Sequence, residues 1–165
     1  MTISVGDRLP DATLMTMTPD GPNKLTTADI FAGKTVALFA LPGAFTPTCS
    51  AKHLPGFIEK ADEIKAKGVD TIACLSVNDV FVMNAWGEQQ GAGDKVLMLA
   101  DGNGEFAKAV GLEMDGSGFG MGTRAQRFSM LVKDGVLAEL NVEAPGEFSV
   151  SSSDHILGQL DTISA

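Results

Sequence analysis

Pro42, Thr46 and Cys49 are the residues whose types and spacing can do chemistry in this chain. They lie in Leu-Pro-Gly-Ala-Phe-Thr-Pro-Thr-Cys-Ser (41–50), between a buried apolar run and an amphipathic stretch. A cysteine in the first turn of a helix meets unpaired backbone N–H groups and the positive end of the dipole, and both favour the thiolate, the nucleophilic form. Pro42 ends the strand and shields the sulfur from water on one side. Thr46, three residues before Cys49, brings a hydroxyl within reach of groups at the sulfur. Thr46-Pro47-Thr48-Cys49 stands where a disulfide reductase carries Cys-x-x-Cys, with threonine in place of the first cysteine. A dithiol exchanger is thereby disfavoured, and a hydroxyl beside a lone thiolate suits an oxygen substrate. The competing reading is a helix capped by Thr48 or Ser50 beside an inert core cysteine. Pro, Thr and Pro gathered around one thiol at a strand-to-helix turn weigh against it.

The elements that must position this turn follow from the apolar periodicity. Residues 35–41 (TVALFAL) read as a strand buried on both faces. Leu54, Phe57, Ile58, Ala61 and Ile64 then fall at helical spacing, and Gly68 closes that helix. A second buried strand is expected at 69–77, and Asn78-Asp79 cap a helix through Phe81, Val82, Ala85 and Trp86. A third strand spans 95–100, followed by a short helix over 104–110 with Asp101 or Asn103 as caps. The stretch 112–126 holds Gly116, Gly118, Gly120 and Gly122 and reads as a loop without regular structure. Strands at 127–132 and 136–142 flank Asp134-Gly135 as a hairpin, and a last helix runs through Ile156, Leu157 and Leu160. This order predicts an α/β, thioredoxin-like three-layer fold with a mixed central sheet and an amino-terminal extension, for which a hairpin is one form. Residues 1–165 form one domain in this reading.

Composition narrows the function classes. The net charge of −9 repels phosphate backbones, so no nucleic-acid partner is expected. No apolar run reaches the length of a membrane span and the amino terminus lacks a signal-peptide layout, which leaves a reducing, cytoplasmic setting as the default. Two cysteines make neither a disulfide framework nor a four-ligand zinc site. His53 and His155 are too isolated for a metal centre. His53 could tune Cys49 from one turn away, although a partly exposed helix position is the expectation. Met83, Met98, Met114, Met121 and Met130 read as packing groups. Arg127 enters a buried strand and needs an anionic partner, which a thiolate at the sheet edge or a surface carboxylate would each supply. The residues alone leave Arg127 and Arg124 undecided.

Pro42, Thr46 and Cys49 in the spacing P-x-x-x-T-x-x-C resemble the active-site motif of the peroxiredoxins. PGAFTPTCS followed by HLPGF resembles their type II, peroxiredoxin-5-like subfamily, and the likeness continues through LSVNDVFVMNAW, LADGNGEFAKAVGLEMD, GTRAQRFSMLV and GEFSVSS. The resemblance implies a thiol peroxidase acting on hydrogen peroxide and organic hydroperoxides. It assigns Cys49 as nucleophile and Arg127 as the family's active-site arginine, with Arg124 in support. Thr46, Arg127 and the amides of the turn from Gly43 to Cys49 would bind the peroxide oxygens, and Cys49 would become a sulfenic acid.

No late cysteine near 148–151 can resolve that sulfenic acid, and Cys74, inside VDTIACLSV, reads as a buried core residue. The resemblance therefore implies a one-cysteine cycle recycled by external glutathione and glutaredoxin, with no cofactor of its own. The alternatives are a Cys49–Cys74 disulfide reduced by thioredoxin, a thiol transferase, and a redox sensor. Trp86 and Phe81 with the 43–47 loop are candidates for the surface on which small family members form homodimers, Trp86 being equally a core aromatic.

Overall fold

A computed structural model describes residues 1–163 of the chain. Seven strands form one sheet: β1 (Thr13–Thr18), β2 (Gly21–Thr26), β3 (Thr35–Leu41), β4 (Thr71–Ser76), β5 (Leu97–Ala100), β8 (Phe128–Lys133) and β9 (Val136–Val142), in the order β2-β1-β5-β4-β3-β8-β9. β3, β4 and β5 are parallel, while β8 and β9 extend the sheet antiparallel on one side and β1 and β2 on the other. The expected mixed sheet is present, and the amino-terminal extension is the β1–β2 hairpin.

Strand β3 is fully buried from Val36 to Leu41, and its period of two divides it between two cores. Val36, Leu38 and Ala40 join one cluster with Phe106, Phe128 and Met130; Ala37, Phe39 and Leu41 join the other with Cys49, Phe57 and Trp86. Helices α2 (Leu54–Glu59), α3 (Ala61–Ala66), α4 (Val80–Gln90) and α6 (Ser153–Ile163) contribute to the second cluster, and α1 (Thr27–Phe31) and α5 (Glu105–Ala109) to the first. The result is a helix–sheet–helix sandwich with Cys49 inside one of the two interfaces. Among the described residues, no helix is long and apolar enough to cross a membrane.

Three sequence expectations need correction. The helix foreseen without interruption from Cys49 to Gly68 opens instead with a π-helical turn, Cys49–His53, and breaks again at Lys60 between α2 and α3. Pro55 accounts for the first irregularity. It has no N–H to give Ala51, and its ring would crowd that carbonyl, so the turn widens and Leu54 N donates five residues back to Cys49 O. The stretch 112–126 is not structureless: β6 (Glu113–Asp115) pairs antiparallel with β7 (Thr123–Ala125). Its glycines concentrate at the tip, where Gly120 and Gly122 take positive φ, and leave the flanking residues free to pair. Helix α1 was missed altogether, although Thr26 and Asp29 form a reciprocal capping box that marks its start. Asp79 and Asp101 cap as expected, Asp79 on Val82 N and Asp101 on Phe106 N and Ala107 N.

Candidate active site

Strand β3 delivers the chain to Pro42 at the carboxyl edge of the parallel strands, the usual place for a site in an α/β sheet. The turn that follows is held from three sides. Asn78 Oδ1 accepts from Ala44 N at 2.9 Å, the Thr46 hydroxyl donates to Gly43 O at 2.7 Å, and Phe45 takes the left-handed backbone at φ 65°. Gly43 is closely surrounded, since a Cβ there would lie 3.3 Å from side-chain atoms of Arg124, Met121 and Thr46, which would have to give by a few tenths of an ångström. The first amide tied to the preceding turn is that of Ser50, which donates to Thr46 O at 2.9 Å. Cys49 therefore opens the helix ahead of its hydrogen-bonded ladder, in the first-turn position read from the sequence.

Cys49 is fully buried. Arg127, one residue before β8, reaches across from the neighbouring strand and places Nη2 3.0 Å from Cys49 Sγ. The choice between a thiolate partner and a surface carboxylate is settled in favour of the sulfur. Arg124 takes a different post: Nε donates to Met121 O at 2.8 Å and Nη1 to Val77 O at 3.0 Å, with Pro42 O at 3.5 Å. It ties the tip of the β6–β7 ribbon to the end of β3 and does not meet the sulfur.

A cleft of about 580 Å3 opens beside this pair, with Pro42, Thr48, Lys52, Met114, Arg127 and Phe148 among its walls. Pro42 stands at the cleft wall. The Thr46 hydroxyl hydrogen is committed to Gly43 O, which leaves the oxygen lone pairs as acceptors facing outward from that bond.

His53 is not the partly exposed helix residue expected from the sequence: it is completely buried. The π-turn swings it under the sheet, where it packs on Phe39, Phe57 and Phe148. Its Nδ1 lies 2.8 Å from Arg127 Nη1 and its Nε2 2.9 Å from Ser151 O. Burial, reinforced by the Arg127 charge, pushes its pKa down to about 3 against opposing pulls from Ser151 and Glu143. Sequence reading also missed Asn78, Glu143, Ser151 and Phe148, which support the turn or Arg127 from distant segments. His53 had a legible signal, since it follows Cys49 by four residues and shares its helix face. The others carry none in local spacing.

Trp86 belongs to the core and not to the surface, with its Nε1 donating to Ser50 Oγ at 3.0 Å. Phe45 and Phe81, by contrast, are 49% and 64% exposed. Cys74 is buried in β4 and unpaired with Cys49. Burial, more than the adjacent Cys49, raises its thiol well above the ordinary range, and Arg127 opposes this only in part.

Comparisons with known proteins give the family of the chain that carries this arrangement. The Redoxin family matches residues 4–157. The chain is 57% identical to the chloroplastic Peroxiredoxin-2E-2 of Oryza sativa subsp. japonica, over 96% of this chain and 73% of the relative. It is a peroxiredoxin. It is 52% identical to Peroxiredoxin-2B of Arabidopsis thaliana, over 96% of this chain and 98% of that one. A crystal structure of reduced Prx3 in complex with hydrogen peroxide from Vibrio vulnificus superposes with a TM-score of 0.93 at 56% identity, covering 96% and 99% of the two chains. This peroxiredoxin is accordingly a thiol peroxidase with the thioredoxin-like fold.

Proposed function

We propose that this peroxiredoxin reduces hydrogen peroxide and organic hydroperoxides through Cys49 in a one-cysteine cycle, with glutathione and glutaredoxin returning the thiol. The observation that carries the assignment is Arg127 Nη2 at 3.0 Å from Cys49 Sγ. The guanidinium stabilises the thiolate before reaction and, having further donors, also faces the peroxide oxygens.

In the first step the Cys49 thiolate forms an S–O bond with one peroxide oxygen as the O–O bond breaks. Two electrons pass from sulfur to the departing oxygen, which takes a proton and leaves as water or an alcohol. Negative charge moves along that line, so donors fixed in advance by Arg127 and the turn amides from Gly43 to Cys49 stabilise the transition state more than the ground state. Thr46 accepts from the peroxide O–H, since its own hydrogen is held by Gly43. Pro42 walls the sulfur from solvent. A first glutathione then attacks the Cys49 sulfenic acid, releasing water and leaving a Cys49–glutathione mixed disulfide; a glutaredoxin thiolate takes over the glutathionyl group and frees Cys49, and a second glutathione releases that group as glutathione disulfide.

The cleft beside Arg127, at about 580 Å3, has room for an alkyl hydroperoxide or a tripeptide thiol. Cys74 supports the one-cysteine cycle by its place in a central strand, where its backbone is paired on both sides and its thiol stays protonated. Mass analysis of reduced protein treated with one equivalent of peroxide tests this. A sulfenic acid on Cys49, trapped by glutathione, is expected. A Cys49–Cys74 crosslink formed without added thiol, and reduced by thioredoxin, would replace it with the two-cysteine cycle. Turnover with disulfides but not with peroxide would mark a thiol transferase, and slow stoichiometric oxidation a sensor.

The exposed rings of Phe45 and Phe81 support a homodimer packed beside the site entrance. Sedimentation at micromolar concentration is expected to show a dimer that Phe81→Asp dissociates; a wild-type monomer would refute it.

A further inference from the structure

His53 and Glu143 are both buried and ionisable, and the cycle above gives neither a task. Their contacts join into one chain. Glu143 Oε2 accepts from Ser149 N at 2.8 Å, Ser151 N at 2.8 Å and Ser151 Oγ at 2.7 Å. The carbonyl of Ser151 then faces His53 Nε2 at 2.9 Å. His53 Nδ1 meets Arg127 Nη1 at 2.8 Å, and Arg127 Nη2 meets the sulfur at 3.0 Å. Glu143 N closes the circuit by donating to Arg127 O at 3.0 Å.

A guanidinium has only donors and a carbonyl oxygen only accepts. An imidazole wedged between them must accept at Nδ1 and donate from Nε2, which defines one neutral tautomer. Protonation would set an N–H against the guanidinium N–H groups in an apolar pocket, where it has no partner. The carboxylate at the far end is kept ionised for its own reasons. Burial pushes Glu143 up, but the Ser151 hydroxyl and the amides of 149–151 outweigh it and hold the carboxyl below its usual range.

We propose that His53 is a positioning residue of the peroxidase reaction: the neutral imidazole holds Arg127 on the Cys49 sulfur, and the segment 149–151, anchored by Glu143, holds the imidazole. The proposal rests on the assignment of Cys49 and Arg127 to the reaction, because bracing an idle arginine would have no kinetic consequence. Two fixed points, His53 and the Phe148 ring 5.8 Å beneath Arg127, set the guanidinium plane and leave its outer donors for peroxide. A charged partner such as a carboxylate would fix the plane equally well but would spend the positive charge that the thiolate needs.

The test compares wild type with His53→Leu, His53→Gln, Glu143→Gln and Arg127→Gln in two assays. One is the rapid-mixing rate with hydrogen peroxide. The other is alkylation of Cys49 by iodoacetamide, which needs the thiolate but no donors to peroxide oxygens. His53→Leu is expected to slow the peroxide reaction by ~10-fold or more, and by a larger factor than alkylation. His53→Gln presents an O–C–N edge in place of N–C–N, and is expected to recover the rate to within about threefold, with a pH–rate profile that superposes on wild type after scaling. A His53→Leu rate within about threefold of wild type, equal losses in both assays, or a profile limb missing in His53→Gln would each overturn the proposal. Should His53→Leu not fold, the His53→Gln profile and a peroxide-selective loss in Glu143→Gln decide it. If Arg127→Gln leaves the peroxide rate unchanged, the site assignment itself fails; a large Arg127→Gln loss beside an unaffected His53→Leu sinks the positioning role alone.

Discussion

Cys49 and Cys74 lie in the same apolar cluster, on one face of the sheet, and neither exposes any surface. Burial alone would make both inert, because it disfavours the thiolate. They differ in what surrounds the sulfur. Cys74 sits in the middle of β4 with its backbone in two ladders, and its thiol is pushed well up by burial. Cys49 sits where the chain leaves β3 for a helix, before the backbone ladder begins, and receives an Arg127 donor from across the sheet. Local backbone and one long-range cation are what distinguish the proposed nucleophile from the proposed packing residue.

The largest break expected between the two thiols is kinetic. Cys49→Ser should cost ~1000-fold or more in peroxide consumption, while Cys74→Ser stays within about threefold. Rapid mixing with peroxide reads this directly, and the single tryptophan, Trp86, bonded to Ser50, provides a fluorescence signal next to the reacting sulfur. Comparable losses in both variants would mean that Cys74 takes part in the cycle. Next in size is Arg127→Gln, which should lower the peroxide rate by ~100-fold or more, the usual cost of removing one preplaced donor from a developing anion. A rate near wild type would mean that the helix start alone activates Cys49.

The acid stability of the second interface should sharpen the contrast further. His53 has a folded pKa of about 3, below its value of 6.5 in the unfolded chain, so the unfolded state binds the extra proton between those limits. Stability contributed by neutral His53 is complete above pH 6.5 and is lost as pH falls toward 3, by an amount on the order of a few kcal/mol. Urea midpoints measured across that range should fall more steeply for wild type than for His53→Gln. Parallel slopes would show that His53 is protonated in the fold. The smallest effect belongs to Cys74: serine there places a hydroxyl in an apolar strand and should cost about 1–3 kcal/mol in denaturant unfolding, and alanine less. If serine is neutral, Cys74 is less tightly packed than its burial implies.

Much of this protein was legible in its sequence. The apolar runs at 35–41 and 69–77, the caps at Asp79 and Asp101, and the Asp134-Gly135 turn each act over a few residues; the structure repeats them, with the second run shortened to Thr71–Ser76. Cys49 at a helix start was legible for the same reason. Pro55 and the Thr26–Asp29 box were equally local signals that went unread, and they hid the π-turn and α1.

Local patterns along the chain set the alternation of strands and helices, and with it the placing of one thiol at the carboxyl edge of the sheet. Which arginine meets that thiol depends on the folded sheet, since Arg124 and Arg127 differ by three residues and no local rule separates them. The tertiary structure also decided that His53 is buried and neutral, because its partners come from residues 127 and 151, brought beside it by strand pairing and by the loop before α6. Spacing along a chain encodes contacts within a turn or two. Contacts between segments a hundred residues apart exist only once the sheet has closed.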